Sequence, residues 1–501
     1  MWRITVPGDG GMTQVVSIFE RLGSGGGGKV RAVLTRMNAF AGMADMDAVL
    51  LNLDHNPKQR VLFAELQADG AISPELRMVT LPEFCRDAAL AAGIKPFDGF
   101  PGFDERRGKA DRIVYRHGGE RVMEDRLSDT AAGEMTKRRI ANDPRRRVFT
   151  LLNGRLEQMV QRNPDGTVET TDYTDGLPIR WTKTRGREFQ IGRNLVTDTI
   201  CRMPRIYAQN IYQMINWQDA LVFFDGVTSA YLSPVTTARR ALFLHADHRG
   251  PKGGVVPRSR YLIENFNGEA IVTSTEVHKA RMKEDLTPAA PVHVIPHCCD
   301  PAEPHERTRQ NLVTVSRLDL VGKPIDECIA AFATVMNDFP EVDYLIYGVG
   351  AGEAALREQI AALGCEDRIR LLGYTTEPAA VFQGALASVY PTTTEGFGLS
   401  ILEALANGCP VITYDVDYGP RELIAPGING ELVARGDLDA IADAMRRVLS
   451  AAGHYQKGTS KGLDRYTRAA YRENYRNLVL GLMQECSGSS GVRSAGDKAA
   501  N

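Results

Sequence analysis

The chain has 501 residues, of which 43% are apolar and 24% are charged, and its formal net charge is -2. Because this length exceeds what one hydrophobic core usually organises, we expect two or three domains. The near-neutral charge excludes a global attraction to nucleic acid, so an acidic partner would have to meet a local basic surface.

Cysteine usage and hydropathy predict a cytoplasmic protein. The eight cysteines are scattered and form no C-x2-C pair, a spacing typical of reduced thiols. Cys298 and Cys299 follow His297, but adjacent cysteines chelate zinc poorly. The apolar run at the amino terminus is too short for a signal peptide, and no stretch approaches the roughly 18 apolar residues of a membrane span. Peripheral association with a membrane stays open.

The first 300 residues contain short apolar runs that predict strands of a Rossmann-like domain. These runs are Trp2–Pro7, Val30–Thr35, Ala220–Phe224, Ala241–Leu244, Ala270–Thr273 and Val292–Pro296. A helix is predicted over Thr13–Leu22. The turn before it would present the amides of Gly10 and Gly11 to a phosphate or sugar, but it lacks the G-x-G-x-x-G spacing, so a dinucleotide is not favoured.

From Leu76 to Asn194 the pattern changes to alternating runs separated by Asn-Gly and Asp-Gly turns. These hairpin signals predict an antiparallel sheet inserted into the first domain. Between Asp104 and Arg147 there are thirteen Lys or Arg against nine Asp or Glu. A solvated face is the simpler interpretation, and a polyanion-binding surface is the alternative. Its candidate acceptor contacts are Arg138, Arg139, Arg145, Arg146 and Arg147.

From about Leu312 to Val433 apolar runs alternate with amphipathic segments, which is typical of a doubly wound parallel sheet. Predicted strands include Leu312–Ser316, Tyr344–Gly348, Ile369–Gly373, Ala387–Tyr390 and Val411–Tyr414. The predicted organisation is residues 1–75 with 195–300 as the first domain, 76–194 as the insertion, 301–485 as the second domain and 486–501 as a disordered tail.

The segment Glu395-Gly-Phe-Gly-Leu-Ser-Ile-Leu-Glu403 follows a predicted buried strand and begins a helix. Ligands bind at such carboxyl ends of parallel strands, where the amides of Gly398, Leu399 and Ser400 would favour a diphosphate. Eight residues span at most roughly 12 Å in a helix, so one carboxylate could bind each sugar of a nucleotide-sugar. Two solvated glutamates on an ordinary strand-turn-helix are the alternative.

Other candidate residues also follow predicted strands. Arg317 and Lys323 can neutralise a leaving diphosphate without a metal, although both could instead cap a helix or pair with Asp319. Gly348 would let a nucleotide approach closely, although glycine is common at strand ends. His245 could hydrogen-bond a substrate hydroxyl or complete the core. For His248 the core interpretation is preferred to acceptor binding.

On these residues the chain resembles the retaining family 4 glycosyltransferases of the GT-B fold. The segments Gly10–Thr13, His245–His248, Tyr414–Pro420 and Gly427–Gly430 and the inserted sheet are similar to the wall teichoic acid poly(polyol-phosphate) glycosyltransferases. They also resemble the catalytic subunit that glycosylates serine-rich adhesins. The resemblance therefore implies an α/β protein with two Rossmann-like domains and an inserted antiparallel sheet.

The resemblance also implies a role for each candidate residue. Uridine would lie near Tyr374, ribose on Glu403 and the hexose on Glu395, with His245 over the donor sugar. The diphosphate would meet Arg317, Lys323 and the amides from Phe397 to Ser400. The resemblance implies that glucose or N-acetylglucosamine is transferred from a UDP-sugar to a polymer acceptor, a polyol-phosphate chain. It also implies that this needs no metal or other cofactor and that the protein is a homo-oligomer. The alternatives are a protein Ser/Thr O-glycosyltransferase, a UDP-sugar epimerase or hydrolase, and a non-catalytic partner subunit.

Overall fold

In the computed structural model the described residues are 12–19, 22, 28–52, 58–80, 100–109, 111–130, 133–143, 146–164, 166–174, 177–185, 220–225, 238–250, 253–302 and 309–484. Two compact units, Met1–Arg240 and Ala241–Asn501, make up the chain. The predicted boundaries after residues 75, 194 and 300 stay predictions. The predicted strand Trp2–Pro7, Gly10, Gly11 and the tail lie outside the described residues.

The first unit contains parallel and antiparallel strands. Its described elements are β1 (Thr13–Phe19), α1 (Gly28–Ala41), β2 (Met46–Asn52), α2 (Lys58–Ala68), β3 (Arg77–Thr80), β4 (Glu105–Lys109), β5 (Arg112–His117), β6 (Glu120–Thr130), β7 (Gly133–Ile140), β8 (Val148–Leu152), β9 (Arg155–Arg162), β10 (Thr167–Thr174), β11 (Leu177–Arg185) and β12 (Ala220–Asp225). The parallel strands follow the order β12-β1-β2-β3, and Val16 of β1 is in register with Val49 and Val222. This arrangement confirms a Rossmann-like sheet.

Two predictions in this unit were wrong. The predicted helix Thr13–Leu22 contains strand β1, whose β-branched residues favour an extended chain. The predicted strand Val30–Thr35 lies inside helix α1. The buried face of α1 includes Arg36, which forms an ion pair with Asp225, about 1% and 0% exposed. A charged residue on the buried face weakens the apolar helical pattern, and its partner is distant in sequence.

Strands β4 to β11 form a separate antiparallel sheet in which neighbours in sequence are neighbours in space. The predicted inserted sheet is thereby confirmed. The first described strand of this sheet begins at Glu105. The strand Arg77–Thr80 lies near the start of the predicted insertion, but it pairs in parallel with β2 and so belongs to the Rossmann-like sheet. Small buried clusters support one face, such as Ile113, Tyr115 and Met123.

The second unit contains two sets of parallel strands. Its elements are β13 (Arg239–Phe243, from Ala241 in this unit), α3 (Pro257–Asn265), β14 (Ala270–Thr273), α4 (Glu276–Asp285), β15 (Val292–Val294), β16 (Leu312–Val315), α5 (Ile325–Val335), β17 (Tyr344–Tyr347), α6 (Glu353–Leu363), β18 (Ile369–Gly373), α7 (Pro378–Gln383), β19 (Ala387–Tyr390), α8 (Leu399–Ala406), β20 (Val411–Tyr414), α9 (Pro420–Leu423), β21 (Gly430–Val433), α10 (Leu438–Ser450), α11 (Ala452–Gly458) and α12 (Arg468–Gln484). Strands β13, β14 and β15 pair in parallel.

The six-stranded sheet of this unit positions the candidate site. Its order is β18-β17-β16-β19-β20-β21, and all pairs are parallel. The strand order therefore reverses between β16 and β19, where Leu312 is in register with Ala387. Open α/β sheets bind ligands at such a switch point, beyond the carboxyl ends of the strands. The loops after β16 and β19 carry the predicted charged residues.

Within the described ranges, no helix is long and apolar enough to cross a membrane. The same residues contain no group of three or more His, Cys, Asp or Glu side chains arranged to hold a metal ion. Cys298, Cys299, Cys328, Cys365 and Cys409 are free thiols.

Candidate functional site

The site is built around the turn between β19 and α8. All four residues of β19 are buried, and Gly398 adopts φ 88° at the amino end of the helix. The first helical hydrogen bonds run from the amides of Ile401 and Leu402 to the Gly398 carbonyl. The amides of Leu399 and Ser400 precede this ladder, as expected at a helix amino terminus. The predicted strand-turn-helix is therefore present.

Lys323 and Glu395, which are 72 residues apart, meet in this turn. The Lys323 Nζ atom forms an ion pair with Glu395 Oε1 and donates to Thr392 Oγ1 at 2.7 Å. The Lys323 side chain is 12% exposed and that of Glu395 13%. The Nζ atom also lies 4.4 Å from the centroid of the Tyr390 ring. The predicted alternative partner of Lys323, Asp319, instead accepts the Lys323 backbone amide through its carbonyl.

Three donors converge on one oxygen of Glu395. Oε1 accepts from Lys323, from Thr392 Oγ1 at 2.9 Å and from the Tyr390 hydroxyl at 3.1 Å. No protein donor to Oε2 occurs in the described part of the chain. One carboxylate oxygen is thus anchored, and the other retains its capacity to accept hydrogen bonds.

The ionisation of the group favours a charged lysine beside a neutral tyrosine. Burial lowers the pKa of Lys323, but Tyr390 and Glu395 outweigh it, and the resulting pKa lies above the usual range. Burial, followed by the charge of Glu395, raises the pKa of Tyr390 to about 12. An ammonium group is therefore present near neutral pH where the leaving diphosphate was predicted.

Arg317 lies in the loop after β16 and is exposed. It forms no ion pair with the residues that the structure describes. The predicted cap or pairing with Asp319 is therefore not observed for this side chain. An exposed guanidinium can donate to two phosphate oxygens in a bidentate manner.

His245 is brought directly against the turn. A Cβ atom at Gly396 would lie 2.2 Å from the His245 carbonyl oxygen, so only glycine allows this approach. On the same side Ser274 Oγ donates to the Gly396 carbonyl at 2.8 Å. The His245 ring is half-buried and lies 4.3 Å from the Phe243 ring. The structure thus places His245 beside the backbone of the Glu395 turn, and its predicted position over a donor sugar stays a prediction.

The glycines of the loop after β17 are required for a reason that the sequence analysis did not give. At Gly348, which has φ 153°, a Cβ atom would lie 1.8 Å from the Ser316 carbonyl oxygen. At Gly350 it would lie 2.4 Å from the carbonyl oxygen of Leu318. Loop packing within the protein already requires these glycines. Nucleotide approach at Gly348 stays a prediction.

The remaining predicted donor contacts differ in accessibility. Phe397 is 3% exposed, and its ring packs against His297 at 5.1 Å, so its backbone rather than its side chain can meet a ligand. Tyr374 is 61% exposed and follows Gly373, whose carbonyl accepts the Gly348 amide at 2.7 Å. Glu403 is half-buried on α8, and its carbonyl accepts from Asn407.

His248 belongs to a buried cluster. Its ring is 1% exposed, and Nε2 lies 2.8 Å from Asp285 Oδ2, which also accepts from Arg249. The Arg249 hydrogen bond, despite burial and with help from His248, lowers the pKa of Asp285 to about 2. This environment agrees with the preferred interpretation of His248 as a core histidine.

The predicted arginine set separates into paired and exposed members. Arg138 donates to both oxygens of Asp125 at 2.7 Å, and Arg147 donates to Asp143 at 2.9 and 3.2 Å. Arg139 and Arg146 are exposed. Arg145 lies outside the described residues. Ion pairing thus commits Arg138 and Arg147 to the structure of the sheet.

A row of basic residues lies on the face of the sheet opposite to that of Arg138. Arg112 is in register with Arg126, and Arg126 with Lys137. The neighbouring Glu124 carboxylate contacts Arg112 at 3.0 Å, Arg121 at 2.8 Å and Arg126 at 3.7 Å. Because one carboxylate contacts three guanidinium groups, this face keeps a surplus of positive charge. Like charges directly opposite each other also destabilise a sheet.

Sequence reasoning missed several residues of the site. Thr392 and Tyr390 hold Glu395, and the polar run directly after the buried strand β19 is a signal that points to Thr392. Tyr418 and His278 pack together in the second unit. No local sequence pattern predicts that contact.

Comparison with known proteins identifies the domain that carries this site. Residues 300–465 match the family model Glycosyl transferases group 1. The chain is 33% identical over 189 residues to the poly(glycerol-phosphate) alpha-glucosyltransferase of Bacillus subtilis, a match covering 36% of this chain and 28% of that protein. It is 20% identical to the poly(ribitol-phosphate) alpha-N-acetylglucosaminyltransferase of Staphylococcus aureus over 93% of this chain and 99% of that protein.

The fold matches a solved structure over nearly the whole chain. Staphylococcus aureus TarM, in complex with fondaparinux, alpha-GlcNAc-glycerol and UDP, has a TM-score of 0.76 at 18% identity, with 93% of this chain and 100% of that chain covered. This likeness confirms the predicted GT-B fold. The family match confirms the predicted glycosyltransferase resemblance for residues 300–465.

Proposed function

We propose that this chain is a retaining glycosyltransferase that transfers a hexose from a UDP-sugar to a polyol-phosphate polymer. The observation that carries the proposal is the geometry of Glu395, whose Oε1 is anchored by three donors while Oε2 can accept from sugar hydroxyls. It lies at the switch point of a domain that matches the group 1 glycosyl transferases. The acceptors in the names of two relatives support the polymer.

The diphosphate would bind between the two loops. Two of the three Lys323 N–H groups are directed to Thr392 and Glu395, and the third can donate to a phosphate oxygen. Arg317 supplies a guanidinium, and the amides of Leu399 and Ser400 add the positive end of a helix. Ribose on Glu403 and uracil near Tyr374 complete the donor site.

The reaction would proceed on one face of the sugar. The bond between the anomeric carbon and the diphosphate oxygen breaks as the acceptor hydroxyl oxygen forms a bond on the same face. The acceptor proton passes to the departing diphosphate. Lys323 and Arg317 stabilise the negative charge that develops on that group, and Glu395 orients the hexose. His245 would hydrogen-bond the donor sugar.

We further propose that this chemistry needs no metal ion, because two cations and a helix amino terminus already face the diphosphate. Turnover should therefore persist in excess EDTA. Loss of turnover in EDTA and its recovery with Mg²⁺ or Mn²⁺ would contradict this part of the mechanism.

The decisive experiment offers the full chain a panel of UDP-sugars with ribitol-phosphate or glycerol-phosphate oligomers. We expect transfer from UDP-glucose or UDP-N-acetylglucosamine with retention at the anomeric carbon, measured by NMR of the product. Lys323→Ala should lower the rate of transfer by about 10²-fold or more, whereas replacement of the exposed Lys461 by Ala should not. An inverted product, or no transfer from any donor, would overturn the proposal.

Three alternatives to the proposed function are outcomes of the same panel. Rapid epimer or free-sugar formation with donor alone, at a rate unaffected by acceptor, would indicate an epimerase or hydrolase. Transfer to a serine-rich peptide but to no polyol-phosphate would indicate a protein O-glycosyltransferase. Absence of donor binding would favour a non-catalytic partner subunit.

The acceptor polymer would also contact the basic row of the antiparallel sheet. Arg126 is 67% exposed and Arg112 51% exposed, and they face a single carboxylate. Repeated phosphates could bind this row through several weak contacts. The predicted acceptor set changes accordingly. The exposed Arg139 and Arg146 remain in it, whereas the ion pairs of Arg138 and Arg147 argue against those two residues.

Neutralising Arg126, Lys137 and Arg139 together should weaken polymer glycosylation most at low salt, because screening acts on exposed charges. Donor-only hydrolysis should not change. Arg138→Gln is the control, and it should destabilise the sheet without a specific salt effect. Equal loss of both activities in the triple variant would remove the row from acceptor binding.

A homo-oligomer formed through the same sheet stays part of the proposal. Among the described strands, the sheet ends at β4 and β11, and an unpaired edge can pair with another subunit. Light scattering of the full chain tests this, and a monomer at micromolar concentration would contradict it.

A further inference from the structure

Tyr418 has an unusual backbone conformation for a bulky residue. Its φ is 64°, in the left-handed region, and the residue is 1% exposed. Large side chains rarely adopt this conformation. Backbone strain of this kind persists only where the surroundings hold it, and it concentrates at functional sites.

The group that holds Tyr418 is also unfavourable for folding. The Tyr418 ring lies 4.5 Å from the ring of His278, which is fully buried and stacks on His248 at 5.3 Å. Neither ring nitrogen of His278 has a hydrogen-bond partner among the described residues. A buried polar group without a partner lowers stability. Two separate costs therefore coincide at one contact.

This contact leads directly to the turn of the candidate site. Gly419, with φ 110°, follows Tyr418, and a Cβ atom there would lie 1.6 Å from the Phe397 carbonyl oxygen. Phe397 is two residues from Glu395. On the other side Gly396 packs on the His245 carbonyl. The turn therefore lies between two close backbone contacts, and Tyr418 directly precedes one of them.

We infer that Tyr418, held by His278, is a positioning residue for the Glu395 turn. Its buried ring holds Gly419 against the Phe397 carbonyl, and this contact fixes where Glu395 Oε2 points. The inference rests on the proposed function for its kinetic consequence but not for the mechanical coupling. Since Glu395 would act on the reacting hexose and Glu403 on the ribose, loosening the turn should affect kcat and spare the donor KM.

Kinetics of substituted proteins test the first consequence. Tyr418→Leu should lower kcat by about ten-fold with donor KM within two-fold, because small misplacements at a reacting centre reduce rates strongly. Tyr418→Phe keeps the ring and should retain the parental kcat within two-fold. Tyr475→Leu is the matched control: Tyr475 is equally buried on α12, so its loss should lower the melting temperature but not kcat.

Hydrogen exchange tests the coupling without any activity. Amides of the peptide containing Glu395 to Leu402 should exchange at least several-fold faster in Tyr418→Leu than in Tyr475→Leu. His278→Ala is the second variant and should produce the same local change if Tyr418→Leu does not fold. An inactive parent would refute the proposed function while leaving this measurement intact. Unchanged exchange at the turn in the folded Tyr418 or His278 variant would overturn the positioning role.

Discussion

Replacement of His278 by Phe should make the second unit less sensitive to acid. The ring is fully buried, and burial, followed by the charge of His248, lowers the pKa of His278 from 6.5 to about 3. Tyr418 also faces the ring but is neutral near pH 7. The folded protein therefore resists a proton that the unfolded chain accepts readily.

The size and sign of the effect follow from the two pKa values. Between pH 6.5 and 3 the unfolded chain binds one proton more than the folded chain at this residue, so acidification favours unfolding. Each pH unit in this window corresponds to about 1.36 kcal/mol. Lowering the pH from 7.5 to 5.0 should thus reduce the free energy of unfolding by about 2 kcal/mol more in the parent than in His278→Phe.

The assay must report on residues 241–484. The three tryptophans, Trp2, Trp181 and Trp217, all lie in the first unit, so their fluorescence is unsuitable. Pulsed hydrogen exchange in urea, read on peptides from α4, measures the relevant unfolding. Other titrating groups cancel when parent and variant are compared between the same two pH values. An equal loss of stability in both proteins would refute the argument that His278 is held neutral.

Four further predictions concern the site and its supports. Lys323→Ala should lower kcat by about 10²-fold or more through loss of charge stabilisation, and an unchanged kcat in a folded variant would remove it from the mechanism. Glu403→Ala should mainly raise the donor KM, whereas Glu395→Gln should mainly lower kcat; a Glu395 variant altered only in KM would contradict the placement of the hexose. Asp285, whose pKa is depressed to about 2, stabilises the fold above pH 3.8 and loses that effect as the pH falls toward 2. Asp285→Asn should therefore lower the melting temperature at pH 7 and flatten its decline between pH 4 and 2, and an identical profile would exclude this role. Gly348→Ala should reduce stability and turnover together because its Cβ would meet the Ser316 carbonyl, whereas Gly453→Ala, which meets nothing within 4 Å, should do neither.

The fold of the second unit was readable from its sequence because each strand is a short apolar run bounded by turn residues. Predicted strands Ile369–Gly373, Ala387–Tyr390 and Val411–Tyr414 match the structure. In the first unit the same reasoning predicted a helix where the structure has strand β1, and a strand where the structure has helix α1. The buried ion pair of Arg36 with Asp225 explains part of this error, since it joins residues 189 positions apart.

The charged residues of the candidate site could be predicted from the sequence, but the contacts between them could not. Glu395 and Lys323 stand beside strand ends, and the charge each carries is local information. Their mutual pairing, and the choice of Oε1 over Oε2, depends on how β16 and β19 lie side by side. The left-handed Tyr418 likewise depends on packing against a helix about 140 residues earlier in the chain.

The alternating glycines of the loop after β17 restrict how donor preference can be redesigned. Gly348, Gly350 and Gly352 all pack so closely on residues 316–320 that none can carry a larger side chain without moving the loop of Arg317 and Lys323. The shape of the proposed donor pocket therefore cannot be varied at these positions without moving Arg317 and Lys323, the cations proposed to face the diphosphate. Substitutions that alter nucleotide or sugar choice should instead be sought at Val349, which is 51% exposed, and Tyr374, which is 61% exposed. Directed evolution libraries confined to those two positions would explore selectivity while preserving the geometry of the charge cluster.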